Sequence, residues 1–269
     1  MTDTHRVELG TIQETMLLTL ADRAVDAHKK RSLLRDAKAV EIIESIDHPL
    51  AQSGGLHQGT VLRTAIYDSI LRGFLDRHPV GTVVELGSGL NTRFERLDNG
   101  TVHWIDLDLP DSIEVRRKFF ADTDRRRMLA GSALENAWYD TVAALPGPYL
   151  FVSEGVLAYL PREDVDQALT RLVGRFPGAT IVFDTYNRRT LRKTNRIADK
   201  GTMDAHLQWA SDDPREFESL GLTLVSSNSI TKPPPDVRER LPVGLRIVLP
   251  ILHPLGKNLF RLNVFRAPE

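Results

Sequence analysis

The chain has 269 residues, with 35 Lys+Arg against 36 Asp+Glu and no cysteine. The near-neutral balance argues against a dedicated nucleic-acid binder, which carries a basic excess. The missing cysteine excludes disulfides, thiolate zinc sites and thiol nucleophiles, and no metal centre is expected. No apolar run approaches the ~20 residues that span a bilayer, and MTDTHRVELG lacks the basic-then-apolar pattern of a secretory leader. The expectation is therefore a cytoplasmic chain with no membrane partner.

From Thr11 to Lys30, Ile12, Met16, Leu20 and Ala24 recur at helical spacing. A second helix is predicted from Asp36 to Ile46, stopping before His48-Pro49 because proline disfavours helix in the residue preceding it. Ser53-Gly54-Gly55 reads as a flexible join. A third helix follows from Thr60 to Arg77, with Leu62, Ile66, Ile70 and Phe74 on one stripe. These helices precede any good strand, so residues 1–79 are expected to form a helical cap element and 80–269 the main domain.

The pattern then alternates. Strands are predicted at Thr82–Leu86, Val102–Ile105, Arg127–Ala130, Tyr149–Val152 and Thr180–Asp184, with helices between them. The clearest of these helices is Arg162–Arg175, and Pro110 can open another, since its missing N–H costs little in a first turn. Alternation of this kind implies a parallel sheet covered on both faces. After Asp184 the chain turns basic, with Arg188, Arg189, Arg192, Lys193 and Arg196. A helix is expected over Met203–Ala210, a short one capped by Asp212-Asp213 before Pro214, and a sixth strand over Leu222–Asn228. Lys232-Pro233-Pro234-Pro235 reads as a rigid linker. Val237–Leu255 reads as a helical cap, and Leu259–Arg266 as a terminal strand. The cap insertion would occupy about 186–258.

Gly87-Ser88-Gly89 stands at the carboxyl end of the first strand, where open α/β sheets bind ligands. Asp108 lies about 20 residues further on, at the end of the second strand, and a carboxylate there can accept both hydroxyl hydrogens of a ribose. Asp106 is the alternative, and Asp108 is preferred. Loop and acid together specify an adenosine-type ligand more than a reaction. The third glycine of a dinucleotide fingerprint is absent, because Arg93 and Phe94 follow instead. No Walker loop occurs, so phosphoryl transfer has no support. Glu85 could meet a bound cation at the strand mouth, or could serve as a buried carboxylate bonded to loop amides.

Four blocks carry a more specific likeness. They are Val84-Glu85-Leu86-Gly87-Ser88-Gly89-Leu90-Asn91-Thr92-Arg93-Phe94, Asp106-Leu107-Asp108-Leu109-Pro110, Ser153-Glu154-Gly155-Val156-Leu157-Ala158-Tyr159-Leu160, and Phe183-Asp184-Thr185-Tyr186. In sequence and spacing they resemble the leucine carboxyl methyltransferase family, and within it the bacterial polyketide-pathway O-methyltransferases. The resemblance runs from about Thr15 to Asp184, and thinly to Trp209 and Phe265. It implies the α/β fold of a class I S-adenosylmethionine (SAM)-dependent methyltransferase: a Rossmann-like seven-stranded sheet with an N-terminal helical element and a helical cap. The implied cofactor is SAM. Gly87 and Gly89 would border it, Asp108 would hold its ribose, and Ser132, Ala133 and Leu134 would line the adenine. Glu154 would take the family's acidic contact position, and Arg63 would pair with the SAM carboxylate. Apart from the resemblance, Arg63 reads as an exposed helix arginine. Asn91 stands where the family has Asp, and Ala158 where a larger apolar residue is common.

The expected reaction is methyl transfer to the carboxylate of a small, anionic acceptor. A carboxylate, with a pKa near 4, is already ionised at neutral pH, whereas a phenol near 10 needs a base. His206, in the expected cap, is the best candidate base, although capping or surface roles compete. Tyr159 and Tyr186 could orient the acceptor or simply pack. The basic run after Asp184 could attract an anionic substrate or form a solvated helix face. The competing readings are phenol or hydroxyl O-methylation, protein carboxyl methylation, a nicotinamide-dependent dehydrogenase and a non-catalytic SAM-binding module.

Overall fold

The computed structural model describes residues 5–6, 15–47, 58–199 and 205–269. Seven strands form one sheet: β1 (Thr82–Leu86), β2 (His103–Asp108), β3 (Arg126–Ala130), β4 (Tyr149–Ser153), β5 (Thr180–Tyr186), β6 (Thr223–Ser229) and β7 (Phe260–Arg266). Their spatial order is β3-β2-β1-β4-β5-β7-β6. β1 to β5 pair in parallel, and β7 runs antiparallel between β5 and β6. The order reverses beside β1, whose neighbours are β2 and β4, and this switch point opens a crevice at the strands' carboxyl ends.

The helices are α1 (Thr15–Ala27), α2 (Ala37–Glu44), α3 (Gln58–Arg77), α4 (Arg93–Leu97), α5 (Pro110–Arg116), α6 (Tyr139–Ala143), α7 (Arg162–Arg175), α8 (Arg188–Ala198), α9 (Pro235–Arg240) and α10 (Val243–Gly256). All of β1 is buried, as expected of a strand covered on both faces. Alternation along the strands sends Val84, Ile105, Phe151 and Phe183 toward α7, where Val165, Leu169 and Leu172 complete one core layer. Val83, Trp104, Val152 and Val182 face the other way and pack with Leu62, Ala65, Ile66 and Phe74 of α3. A third cluster joins α1, α2 and α5 through Leu17, Leu20, Ile42 and Ile113. Asp36 caps α2, its Oδ1 accepting from Ala39 N at 3.0 Å.

Some expectations are corrected. The second strand extends to Asp108, so both of its acids lie within it. The helix expected over Met203–Ala210 is absent from its described part, 205–210. There the side-chain amide of Asn195 bonds both the N–H and the C=O of Leu207 at 2.9 Å. Gln208 N donates to Ala158 O at 2.8 Å, and Trp209 Nε1 to Leu157 O at 3.0 Å. Tertiary partners satisfy this backbone in place of helical bonds. The expected cap helix breaks into α9 and α10 at Leu241-Pro242, because the residue before proline is driven to extended backbone. The expected join at Ser53-Gly54-Gly55, and residues 11–14 of the first predicted helix, lie outside the described residues. No described helix is long and apolar enough to cross a membrane.

Candidate active site

A cleft of about 230 Å³ opens at the carboxyl ends of β1, β2 and β4. Its floor is the loop after β1. Gly87 has φ +75°, and a Cβ there would lie 2.4 Å from Val156 Cγ2. Only glycine fits, both for the left-handed backbone and for the close approach. Leu107 O accepts from Gly87 N at 2.8 Å and Ser88 N at 3.1 Å, tying the loop to β2.

Asp108 faces this loop. Its Oδ2 accepts from Gly89 N at 2.6 Å and its Oδ1 from Leu109 N at 2.7 Å. Burial pushes its carboxyl pKa up, against the pull of these two amides. Each oxygen keeps a second lone pair, so the carboxylate can also accept from two ligand hydroxyls. Ser132 and Ala133 line the same wall after β3. Leu134 does not line it; its carbonyl accepts from Arg171 Nη2 at 2.7 Å.

Opposite lies a dense set of charges. Glu154, after β4, takes Arg63 Nε at 2.9 Å and Thr64 Oγ1 at 2.8 Å on Oε1, and Arg93 Nη2 on Oε2. Burial alone would raise its pKa, but Arg63 and Arg93 outweigh burial and hold it below the usual range. Arg93 is 1% exposed and bridges Glu154, Glu85 and Asp68, the last at 2.9 Å. Arg96 clamps Asp68 with Nε at 2.8 Å and Nη2 at 3.0 Å, and reaches Asp36 with Nη1 at 3.0 Å. Asp36 also meets Arg23 at 3.1 Å. Against the cost of burial, Arg96 and Arg93 bring the Asp68 pKa down to about 2. Burial raises that of Glu85 despite Arg93. Glu85 thus sits beneath the cleft as an internal partner of Arg93.

Arg63 presents a usable fork to the cleft. Its Nε is engaged by Glu154, while Nη1 and Nη2 have no hydrogen-bond partner among the described residues. The backbone of Gly155, at φ +68°, passes so close that an added Cβ would stand 3.1 Å from Nη1. Two parallel donors with one edge free suit a ligand carboxylate.

Asp106 and Asp108 have different roles. Asp106 is fully buried, 3.0 Å from Arg116 Nη2 and 2.7 Å from Arg126 Nε, and does not line the cleft. Tyr159 lines the cleft, whereas Tyr186 is not part of its lining: it packs edge-on against Phe260, hydrogen-bonds Asp184, and has its pKa raised by burial. His206 is also outside the cleft lining, on a segment without regular secondary structure, its Nε2 2.9 Å from Asp199 Oδ1.

Residues without an assigned role in the sequence also contribute. Met16, Thr19 and Arg23 of α1 wall the cleft. Asp184 Oδ1 accepts from Gly155 N at 2.6 Å and lies 2.9 Å from Tyr67 Oη, so it sets the turn that carries Glu154. Tyr67 follows Arg63 by one helical turn on α3, which is the only sequence signal that pairs them.

The donor set fits an adenosyl amino acid: a carboxylate for ribose hydroxyls, an arginine fork for a carboxylate, and glycine turns that leave room for the chain between them. Comparison with known proteins agrees. Residues 13–173 match the family model described as leucine carboxyl methyltransferase. The tetracenomycin polyketide synthesis O-methyltransferase TcmP of Streptomyces glaucescens is 33% identical over 217 residues, covering 79% of this chain and 80% of that protein. The S-adenosyl-L-methionine-dependent methyltransferase dpfgK of Gibberella zeae is 27% identical over 242 residues, 81% of each. Among solved structures, a DUF574 family protein from Streptomyces avermitilis aligns with TM-score 0.57 at 12% identity, over 78% of this chain and 84% of that one. The methyltransferase SibL aligns with TM-score 0.50 at 15% identity, over 75% of this chain and 55% of that one. At such identities these structures speak to the fold alone.

Proposed function

Because this chain belongs to the leucine carboxyl methyltransferase family and is a SAM-dependent methyltransferase, we propose that its acceptor is a carboxylate of a small anionic molecule. When bound, SAM supplies a methyl group activated by a positively charged sulfur. Asp108 would hold the ribose, Gly87 and Gly89 would border the ligand, and Ser132 and Ala133 would flank the adenine. Arg63 would take the amino-acid carboxylate through its free fork, with Glu154 fixing the arginine's other edge.

The observation that carries the choice of acceptor is the chemistry of the lining. Among the described residues around the cleft there is no histidine, Glu154 is committed to two arginines, and Asp108 is held by two amides. No lining group is poised to take a proton. A carboxylate brings none to remove, whereas a phenol does. What the protein must supply is alignment of the acceptor oxygen behind the methyl carbon, an effect that can lower a barrier by roughly 7–11 kcal/mol. Met16, Val156, Tyr159 and Leu160 provide a largely apolar wall that strips water from the attacking oxygen.

The test uses methyl-labelled SAM and a panel of aromatic and polyketide acids. A methyl ester releases volatile labelled methanol in mild alkali; a methyl ether does not. The expected result is alkali-labile product, a rate that is flat from pH 6.5 to 9, and full activity in His206→Ala. Alkali-stable product with a rate that rises with pH would replace this reading with phenol methylation. SAM binding without turnover of any acceptor would replace it with a non-catalytic module.

A further inference from the structure

α10 is apolar on both sides. Leu249 faces the core, while Val243, Ile247, Val248, Ile251, Leu252 and Leu255 are exposed, Leu255 at 79% and Ile251 at 69%. At about 100° per residue these six cover one half of the helix circumference. From Leu241 to Pro268 the chain has no Asp or Glu, but it has Arg246, Lys257, Arg261 and Arg266.

A second helix meets this one. Leu259, just past α10, accepts through its carbonyl from Thr190 Oγ1 at 2.8 Å and Asn187 N at 3.3 Å, at the start of α8. α8 also lacks any acid. Arg188, Arg189, Arg192, Lys193 and Arg196 are all exposed and spaced along one face, with Ile197 beside them at 63% exposure. Among the described residues, only Arg188 of these cations has an acidic partner, Asp212 at 3.2 Å. On the inner side of α10 a cavity of about 620 Å³ is lined by Lys232, Arg238, Arg246 and His253, with Glu239 as its one acid. The topology places the meeting point of α8 and α10 at the cleft's end of the sheet, because α8 leaves the carboxyl end of β5 and α10 leads into the start of the antiparallel β7.

We propose that the α8–α10 face docks this enzyme on an anionic membrane surface, with α10 lying in the interfacial plane and α8 meeting the headgroups. Apolar side chains that enter the acyl boundary and cations that meet anionic lipid are the two terms of interfacial binding, and both are here on adjoining helices. A bilayer contact of this kind differs from the spanning segment that the sequence excludes. A second copy of the chain is the poorer occupant: a two-fold contact would set two predominantly cationic surfaces against each other. The proposal is independent of which oxygen is methylated.

The full chain is sedimented with vesicles of phosphatidylcholine, alone or with 30% phosphatidylglycerol, and its mass is measured by light scattering. The expected result is a monomer that pellets with the anionic vesicles, does so much less with neutral ones, and is released by 0.5 M salt. Each cation near the surface should contribute roughly fivefold in partitioning, so Arg189→Ala/Lys193→Ala should weaken binding about 25-fold. Ile251→Glu/Leu252→Glu should abolish it, with S-adenosylhomocysteine affinity retained as proof of folding. Three results would each overturn the proposal: no pelleting with anionic vesicles, equal pelleting with neutral vesicles, or a dimer that Ile251→Glu/Leu252→Glu splits.

Discussion

Replacing Arg93 with Met should unbalance three carboxylates at once, unequally. Asp68 keeps Arg96, and Glu154 keeps Arg63. Glu85, with its side chain 4% exposed, loses the only cation that bonds it among the described residues. Removing one partner of a buried pair costs about 3–5 kcal/mol, because the other charge stays buried. For a chain of this length that is a fall of about 10 °C in Tm. The cost depends on pH. Burial already holds the Glu85 pKa above its ordinary value, and loss of Arg93 raises it further. A carboxyl whose pKa is raised on folding destabilises at high pH, and that penalty fades as pH falls and the group takes its proton. The Tm gap between Arg93→Met and wild type should therefore be widest near pH 8 and narrower near pH 5.5. Adding Glu85→Gln should close part of it at pH 8. Differential scanning calorimetry of the three proteins at both pH values is the assay. A gap that ignores pH and is untouched by Glu85→Gln would refute the assignment of Glu85 as the stranded charge.

Asp108→Asn cannot accept from both Gly89 and Leu109, and an amide holds ribose hydroxyls less strongly. The loss of about 2–3 kcal/mol should weaken S-adenosylhomocysteine binding roughly 30–150-fold by titration calorimetry; an unchanged affinity would remove Asp108 from the ligand. Gly87→Ala drives a Cβ into Val156 and should abolish cofactor binding. Val156→Ala should restore part of it, but not all, since the positive φ remains, and equilibrium dialysis reads both. Asp68, with its pKa lowered to about 2, contributes stability above its unfolded value and loses it as pH falls through 2. Asp68→Asn should therefore be less stable than wild type at pH 7, by on the order of 2 kcal/mol, and nearly equal to it at pH 2 in urea titrations.

Features with a local chemical signature were legible in the sequence. A buried strand that ends in Gly-Ser-Gly has few alternatives, and an acid one strand later meets the loop because parallel strands of similar length align their ends. That logic placed Gly87, Gly89 and Asp108 around one cleft, and the family motifs added Arg63, Ser132, Ala133, Glu154 and Tyr159. Asp106 and Asp108 could not be separated by spacing, since both point the same way along a strand; the difference comes from Arg116 and Arg126, which are remote in sequence. Tyr186 was read as able to orient the acceptor, or to pack, from its place near a strand end, and His206 as a candidate base from its place in the expected cap. The first packs against Phe260 outside the cleft lining, and the second rides on an irregular segment fixed by Asn195. The links from Asp36 through Arg96 and Asp68 to Arg93 had no signal, because each residue alone looks like a solvated helix position. The outward half of α10 was hidden for a related reason: an apolar helix in a cap reads as core, and composition does not say which half meets protein.

The alternation of Arg23, Arg63, Arg93 and Arg96 with Asp36, Asp68, Glu85 and Glu154 also bears on how such a protein can change over time. The members share partners, so no single replacement is neutral and few pairs are self-contained. Drift there must proceed by coordinated steps, while the acceptor wall, built from independent apolar contacts, can be altered one side chain at a time. Donor preference should accordingly be slow to evolve and acceptor range quick, and a laboratory library aimed at new acceptors would do best to leave the arginines alone.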